Sequence, residues 1–263
     1  MPELYVVKIG GNIIDDEGKL SSFLSEFAGI GNNKILVHGG GKLATAMAEK
    51  LNIPQQLKDG RRITDADTLK VITMVYAGYI NKHIVAQLQA NDCNSIGLTG
   101  ADGNLVQAHK RIHHAIDYGF VGDVDGVNSS FLEVLLSNHL VPVIAPISHD
   151  RKGQLLNTNA DTIASEIAKS LAPYYTVCLI YCFEKEGVLQ NVSDDSSVVK
   201  HLTKAKYHHL KAEGIISAGM LPKLYNAFEA LETGVNKVII GNAHSLAKLA
   251  QGDAGTIITM ENE

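Results

Sequence analysis

The sequence predicts an α/β fold, and two observations carry that prediction. Apolar, β-branched runs that read as buried strands alternate along the chain with segments at helical spacing. Some of these strands also run directly into glycines, most plainly in Lys34-Ile35-Leu36-Val37-His38-Gly39-Gly40-Gly41-Lys42, where a helical pattern follows the loop. Glycines let a backbone approach an anion and turn its N–H groups inward, and a helix N-terminus beyond them adds partial positive charge. A phosphate fits that place, and a plain tight turn or a dinucleotide site are the competing readings. Gly39, Gly41 and Ala44 match G-x-G-x-x-G/A, with Asp59 near the offset of a ribose-binding carboxylate, but residues 52–60 read as a loop and not as a second strand. A P-loop does not fit, because Leu43 follows Lys42 where that motif needs Ser or Thr.

In chain order, Tyr5-Val6-Val7-Lys8-Ile9-Gly10-Gly11 is a short apolar strand that ends in two glycines. Lys8 is its anomaly. A lysine there either snorkels to water from an edge strand or reaches a phosphate at the carboxyl end, where open α/β sheets hold ligands. Residues 20–27 have helical spacing, and the helix after the three glycines puts Leu43, Ala46, Met47, Lys50 and Leu51 on one face before ending near Pro54. Thr64 with Asp67 resembles a capping box, and it opens a long helix marked by Leu69, Ile72, Tyr76, Ile80, Ile84 and Leu88. Arg61 and Arg62, just before that cap, are either solvated charge or a fork for a substrate carboxylate.

Residues 95–100 read as a buried strand, 101–104 as a turn, 119–126 as irregular β structure, 131–136 as helix and 140–145 as strand. In Asn157-Thr158-Asn159-Ala160-Asp161 a polar cluster enters a helix whose buried stripe is Ile163, Ile167 and Leu171. Thr158 or Asn159 serves as N-cap and Asp161 lies in the first turn, while Asn157 and Asp161 also offer an amide for a substrate and a carboxylate to orient cations. Past Pro173 come a strand at 176–181, a surface loop at 193–197 and a helix at 207–212. Gly219-Met220-Leu221-Pro222-Lys223 then leads into a helix that stops at Gly234, and strands at 237–240 and 256–259 follow.

The 263 residues suffice for one large domain or for two lobes sharing a sheet, and 45% hydrophobic content supplies the core. A net charge of -5 leaves no basic field for nucleic acid. No basic segment leads into an apolar core at the start, and no apolar run approaches a membrane span, so a soluble, cytoplasmic protein is expected. Cys93, Cys178 and Cys182 lack C-x-x-C spacing and read as buried thiols, and the pairs His113-His114 and His208-His209 read as surface residues without metal-ligand spacing. No metal site is predicted.

Taken together, Lys8-Ile9-Gly10-Gly11, His38-Gly39-Gly40-Gly41, Arg62-Ile63-Thr64-Asp65, Asn157 to Asp161, Gly219 to Lys223 and Gly255-Thr256-Ile257 resemble the amino-acid kinase family nearly end to end. Within it they are similar to the members that phosphorylate an N-acyl-L-glutamate. The resemblance implies a three-layer αβα sandwich on an open, mainly parallel sheet, with residues 1–172 binding the acyl-glutamate and carrying the dimer contact and residues 173–263 binding ATP. It implies transfer of the γ-phosphoryl of ATP, with Mg2+, to the side-chain carboxylate of N-acetyl- or N-succinyl-L-glutamate in arginine biosynthesis. Lys8 and Lys223 would reach the transferring phosphoryl, and Asp161 would hold their ammonium groups. Gly10, Gly11 and Gly39 would bind phosphate, while Gly40, Gly41, Arg62 and Asn157 would bind the acceptor. Glu184, Gly187, Leu189, Ile216 and Ser217 would bind the nucleotide.

Three positions depart from the family pattern: Arg61 replaces an apolar residue, Phe183-Glu184 a Ser/Thr-Asp pair and Ala218 a Gly or Asp. Arg61 suggests an acyl group bearing its own carboxylate, with a solvent-facing side chain as the alternative. Arginine-inhibited members carry an added N-terminal helix, and the first strand here starts by Leu4, which predicts a homodimer without that feedback. Carbamate, glutamate or aspartate kinases are the nearest rivals, a catalytically silent sensor of the same fold is another, and a dehydrogenase is a third.

Overall fold

The structure, a computed structural model, describes residues 1–31, 33–58, 61–191, 193–216 and 220–260, and of Arg61 the backbone alone. The central sheet contains β1 (Glu3–Ile9), β2 (Lys34–His38), β3 (Ser95–Leu98), β4 (Val141–Ile144), β5 (Thr176–Phe183), β6 (His201–Thr203), β7 (Lys237–Asn242) and β8 (Thr256–Thr259). Their spatial order is β6-β8-β7-β5-β1-β2-β4-β3, and every neighbouring pair is parallel except β7 with β8. The carboxyl ends of six strands therefore share one edge.

Alternation along the strands creates two cores. Leu4 and Val6 of β1, with Val177 and Leu179 of β5, belong to one, while Val7, Ile9, Cys178 and Ile180 belong to the other. Besides a single helical turn at Gly11–Ile14, the α-helices are α1 (Glu17–Gly29), α2 (Gly41–Lys50), α3 (Ala66–Thr73), α4 (Asn81–Ala90), α5 (Ser129–Ser137), α6 (Ala160–Leu171), α7 (Lys204–Ala212), α8 (Leu221–Glu232) and α9 (Leu246–Gln251). Helices α5 to α8 bury their apolar stripes in the first core, and α1 to α4 with α9 bury theirs in the second. This is the expected three-layer αβα arrangement.

The long helix predicted from residue 65 onward is α3 and α4 joined by a π-helical stretch, Met74–Ile80. Leu69, Ile72, Tyr76, Ile80, Ile84 and Leu88 are all buried. A strict four-residue step overshoots the roughly 3.6-residue turn of an α-helix, so such a stripe rotates off the core unless the coil widens. The π-helical turns supply that widening.

Some local expectations change. Asp65, not Thr64, caps α3 by accepting from the Thr68 N–H at 2.7 Å, and Thr64 is fully buried. The segment read as a loop before Arg61 contains a strand, Gln56–Lys58, paired antiparallel with Arg61–Ile63. The buried stripe of α2 is Ala44 and Ala48, while Met47 and Leu51 are exposed, because the small residues let this helix pack closely. A four-stranded side sheet joins Leu155–Asn157, Ile147–His149, Val106–Lys110 and Gly122–Val127 in that order, and the sequence pattern marked neither of the first two as a strand. Cys93, Cys178 and Cys182 are buried free thiols, as expected, and burial pushes Cys178 up to about 12, leaving it inert.

Candidate active site

Lys8 shares the face of Leu4 and Val6, which turns it toward α6, and it lies opposite Tyr181 in the β1–β5 register. The first turn of α6 is held by Asn159, whose side chain accepts from the N–H groups of Asp161 at 2.8 Å and Thr162 at 3.1 Å. The Tyr181 hydroxyl donates to the Asp161 main-chain carbonyl at 3.1 Å, anchoring the same turn to β5. Lys223 sits in the first turn of α8, whose start has Pro222 and no side-chain cap. All three side chains meet. Lys8 Nζ lies 2.7 Å from one Asp161 carboxylate oxygen, and Lys223 Nζ lies 2.5 Å from the other.

The electrostatics of this trio favour a further anion. Two ammonium groups face one carboxylate, and Lys223 stands at a helix N-terminus, where the helix dipole opposes a cation. Burial, then the charge of Lys8, lowers the Lys223 pKa against the pull of Asp161. Burial alone would raise the Asp161 pKa, but Lys8 and Lys223 outweigh it and hold it at about 2. Near neutral pH the carboxylate is therefore ionised, and two lysine side chains share its one negative charge.

Two glycine loops lie alongside. The Gly39 N–H donates to the Ile9 carbonyl at 3.0 Å, and a Cβ on Gly39 would sit 3.6 Å from the Gly11 nitrogen. A Cβ on Gly10 would lie 3.9 Å from Lys8 Nζ, and one on Gly11 would lie 3.8 Å from the Gly41 nitrogen. Gly40 has φ +143°, and a Cβ there would fall 2.3 Å from Ile80 Cδ1 of the π-helical stretch. Only glycine fits at that position.

Arg62 reaches the same loop, donating to the Gly41 carbonyl at 2.9 Å and to Thr45 Oγ1 at 2.8 Å, with a further bond to Gln55 Oε1. Asn157 Nδ2 donates to Thr64 Oγ1 at 3.0 Å, and Thr64 in turn donates to the Arg62 carbonyl at 3.3 Å. Arg62, Asn157 and Gly41 are thus linked by hydrogen bonds.

Residues 3–242 match the sequence profile of the Amino acid kinase family. The chain belongs to the amino acid kinase family. Among relatives in that family, the acetylglutamate kinase of Cytophaga hutchinsonii is 54% identical over 250 residues, covering 95% of each chain. That of Phocaeicola vulgatus is 50% identical over 256 residues, covering 97% of this chain and 98% of its own. The crystal structure of smu.665 from Streptococcus mutans superposes with a TM-score of 0.79 at 27% identity, covering 98% of this chain and 99% of that one.

Against that amino acid kinase framework, the residues expected from the sequence to bind the nucleotide divide. Glu184 to Leu189 follow the carboxyl end of β5, on the edge that carries Lys8. Asn242 Nδ2 donates to the Glu184 carbonyl at 3.3 Å and to Glu186 Oε1 at 2.7 Å, and Glu184 is exposed. Gly187 lies against Thr256, where a Cβ would come within 2.7 Å of Oγ1, and the Val188 N–H donates to that hydroxyl at 2.8 Å. Leu189 and Ile216 are buried, Ile216 within the first core, and Ser217 lies outside the described residues, as do the side chain of Arg61 and Ala218. Among the described residues, no hydrogen bond or ion pair joins Glu184, Gly187, Leu189 or Ile216 to the lysine–aspartate trio.

Sequence reasoning missed Thr45, Gln55, Tyr76 and Tyr181. Thr45 lies four residues after Gly41, one helical turn on the same face, and that spacing is the signal that was available. Tyr76 is buried against Gly40, and burial raises its pKa while Arg62 opposes the rise. Nothing in its local pattern separated it from ordinary core.

Proposed function

We propose that this chain is an acetylglutamate kinase, transferring the γ-phosphoryl of ATP to the side-chain carboxylate of N-acetyl-L-glutamate in arginine biosynthesis. The observation that carries the reading is the convergence of Lys8 and Lys223 on the two oxygens of Asp161 beside paired glycine loops. A carboxylate is already nucleophilic near neutral pH, so no general base is needed, and repulsion between two anionic reactants is the obstacle. One acceptor oxygen bonds to the γ-phosphorus while its bond to the β–γ bridging oxygen breaks, giving an acyl phosphate and ADP. Lys8 and Lys223 offset the charge on the migrating group, and Asp161 sets their positions. N–H groups of Gly10, Gly11, Gly40 and Gly41 bind the phosphoryl oxygens, whereas the Gly39 N–H, expected from the sequence to join them, is taken by the Ile9 carbonyl at 3.0 Å, and Arg62 and Asn157 bind the acceptor.

Among the described residues no three metal-ligating side chains converge, and Asp161 is engaged by the lysines, so Mg2+ enters on the nucleotide phosphates as part of the substrate. Residues 184–189 with Ile216 form the nucleotide side. In this reading the lobes meet near residue 172, the enzyme is a homodimer, and it works in the cytoplasm. No helix among the described residues is long and apolar enough to cross a membrane.

The test is ATP turnover with N-acetyl-L-glutamate, N-succinyl-L-glutamate, L-glutamate, L-aspartate and carbamate, trapping the acyl phosphate with hydroxylamine. Hydroxamate from an acyl-glutamate alone is the expected result. Turnover only with carbamate or a free amino acid, or none with any acceptor, would overturn the reading.

A further inference from the structure

His38, the last residue of β2, is fully buried and precedes the three glycines. Its Nδ1 lies 2.8 Å from the Gly39 carbonyl oxygen, and its Nε2 lies 3.2 Å from Asn81 Nδ2. Asn81 is itself fixed: Nδ2 also donates to the Val143 carbonyl at 2.9 Å, and Oδ1 accepts from Lys82 Nζ at 3.2 Å. Asn81 Nδ2 is therefore the donor to Nε2, which assigns the ring proton to Nδ1 and makes His38 the donor to Gly39. Burial, opposed by the Gly39 bond, holds the ring pKa down to about 4, so this tautomer is neutral at working pH.

A trans peptide is planar, with its carbonyl and the following N–H pointing in opposite directions. Drawing the Gly39 carbonyl inward to His38 therefore turns the Gly40 N–H outward. Among the described residues neither the Gly40 nor the Gly41 N–H meets an acceptor. The residues just before Asn81 press on the loop from behind, with Tyr76 and Ile80 occupying the space a Gly40 side chain would take.

We infer that His38, held by Asn81, is a positioning residue for phosphoryl transfer: it locks the Gly39–Gly40 peptide so that the Gly40 N–H faces the migrating group. The inference rests on the kinase reading above. It assigns a function to a buried ring that touches neither substrate, and it separates aim from binding, because a misaimed N–H weakens the transition state more than the ground state.

Steady-state kinetics of the full chain with ATP and the best acyl-glutamate test it, using His38→Phe, which keeps the buried ring without a donor, and His38→Asn, whose Nδ2 can replace Nδ1. His38→Phe should lower kcat by about 10- to 100-fold, with both KM values changed less than about threefold. His38→Asn should recover most of the loss. A wild-type kcat in folded His38→Phe, a loss expressed only in KM, or equal losses in both variants overturns the inference. If His38→Phe does not fold, Asn81→Ala carries the same test: a lowered kcat with unchanged KM supports the inference, and an unchanged kcat overturns it. A wild-type protein inactive on every acyl-glutamate overturns the kinase reading instead, which keeps the two failures distinct.

Discussion

The proposed acceptor and nucleotide sides share one sheet edge but are held by different means. On the acceptor side, Arg62, Thr45, Gln55, Thr64 and Asn157 form a side-chain network anchored to the Gly41 carbonyl. On the nucleotide side, residues 184–189 are held by the Glu184 carbonyl and Val188 N–H against Asn242 and Thr256, by burial of Gly187 to Leu189, and by side-chain bonds of Lys185 to Asp195 and Glu186 to Asn242. The difference teaches where specificity resides. In the proposed reading, a network of charged and amide side chains would discriminate among small acids, whereas a main-chain shelf at Glu184 and Val188 would support the nucleotide. Between the two stands the Lys8–Asp161–Lys223 trio, assembled from a strand and two helix N-termini.

The sharpest way to break that comparison is at the trio. Lys8→Ala or Lys223→Ala should each lower kcat by about 100- to 1,000-fold, the range for loss of a preorganised charge stabiliser, measured by ADP release. Next comes pH. The Asp161 carboxyl is held at about 2 against an ordinary 3.8, so its contribution is complete above pH 4 and is lost as pH falls toward 2. That loss is on the order of 2 kcal/mol, and Asp161→Asn should flatten this part of the unfolding free-energy profile. On the acceptor side alone, Arg62→Ala should raise KM for the acyl-glutamate by about tenfold, the worth of one charge-assisted hydrogen bond, and spare KM for ATP. The smallest effect belongs to the nucleotide side: Glu184→Ala removes an exposed side chain and should change KM for ATP by less than about threefold, within the range of surface substitutions. A large ATP-side loss there would replace the main-chain shelf with a side-chain contact.

Much of this was legible in the residues. Apolar strands alternating with helical segments gave the α/β class, the family resemblance gave the three layers, and Lys8 was conspicuous as a charge inside an apolar run. Lys223 was not, since a lysine after Pro222 is ordinary helix-start chemistry, and only the family resemblance singled it out. The π-helical stretch was hidden because the four-residue apolar step passes for ordinary helical spacing, although repeated from Ile72 to Leu88 it outruns the roughly 3.6-residue turn. The Asp65 cap was misread because Thr64, which carries the better-known pattern, is needed in the buried link to Asn157. His38 read as one more strand residue, since its partner Asn81 lies 43 positions away.

The central claim is that Lys8 and Lys223 act together on one phosphoryl group. A double-mutant cycle on kcat with Lys8→Ala, Lys223→Ala and the pair tests it most directly. The account predicts strong non-additivity, with the double variant falling no more than about tenfold below the weaker single, as for groups that act as a unit. Single variants near wild-type turnover, or losses that multiply in full, would contradict it.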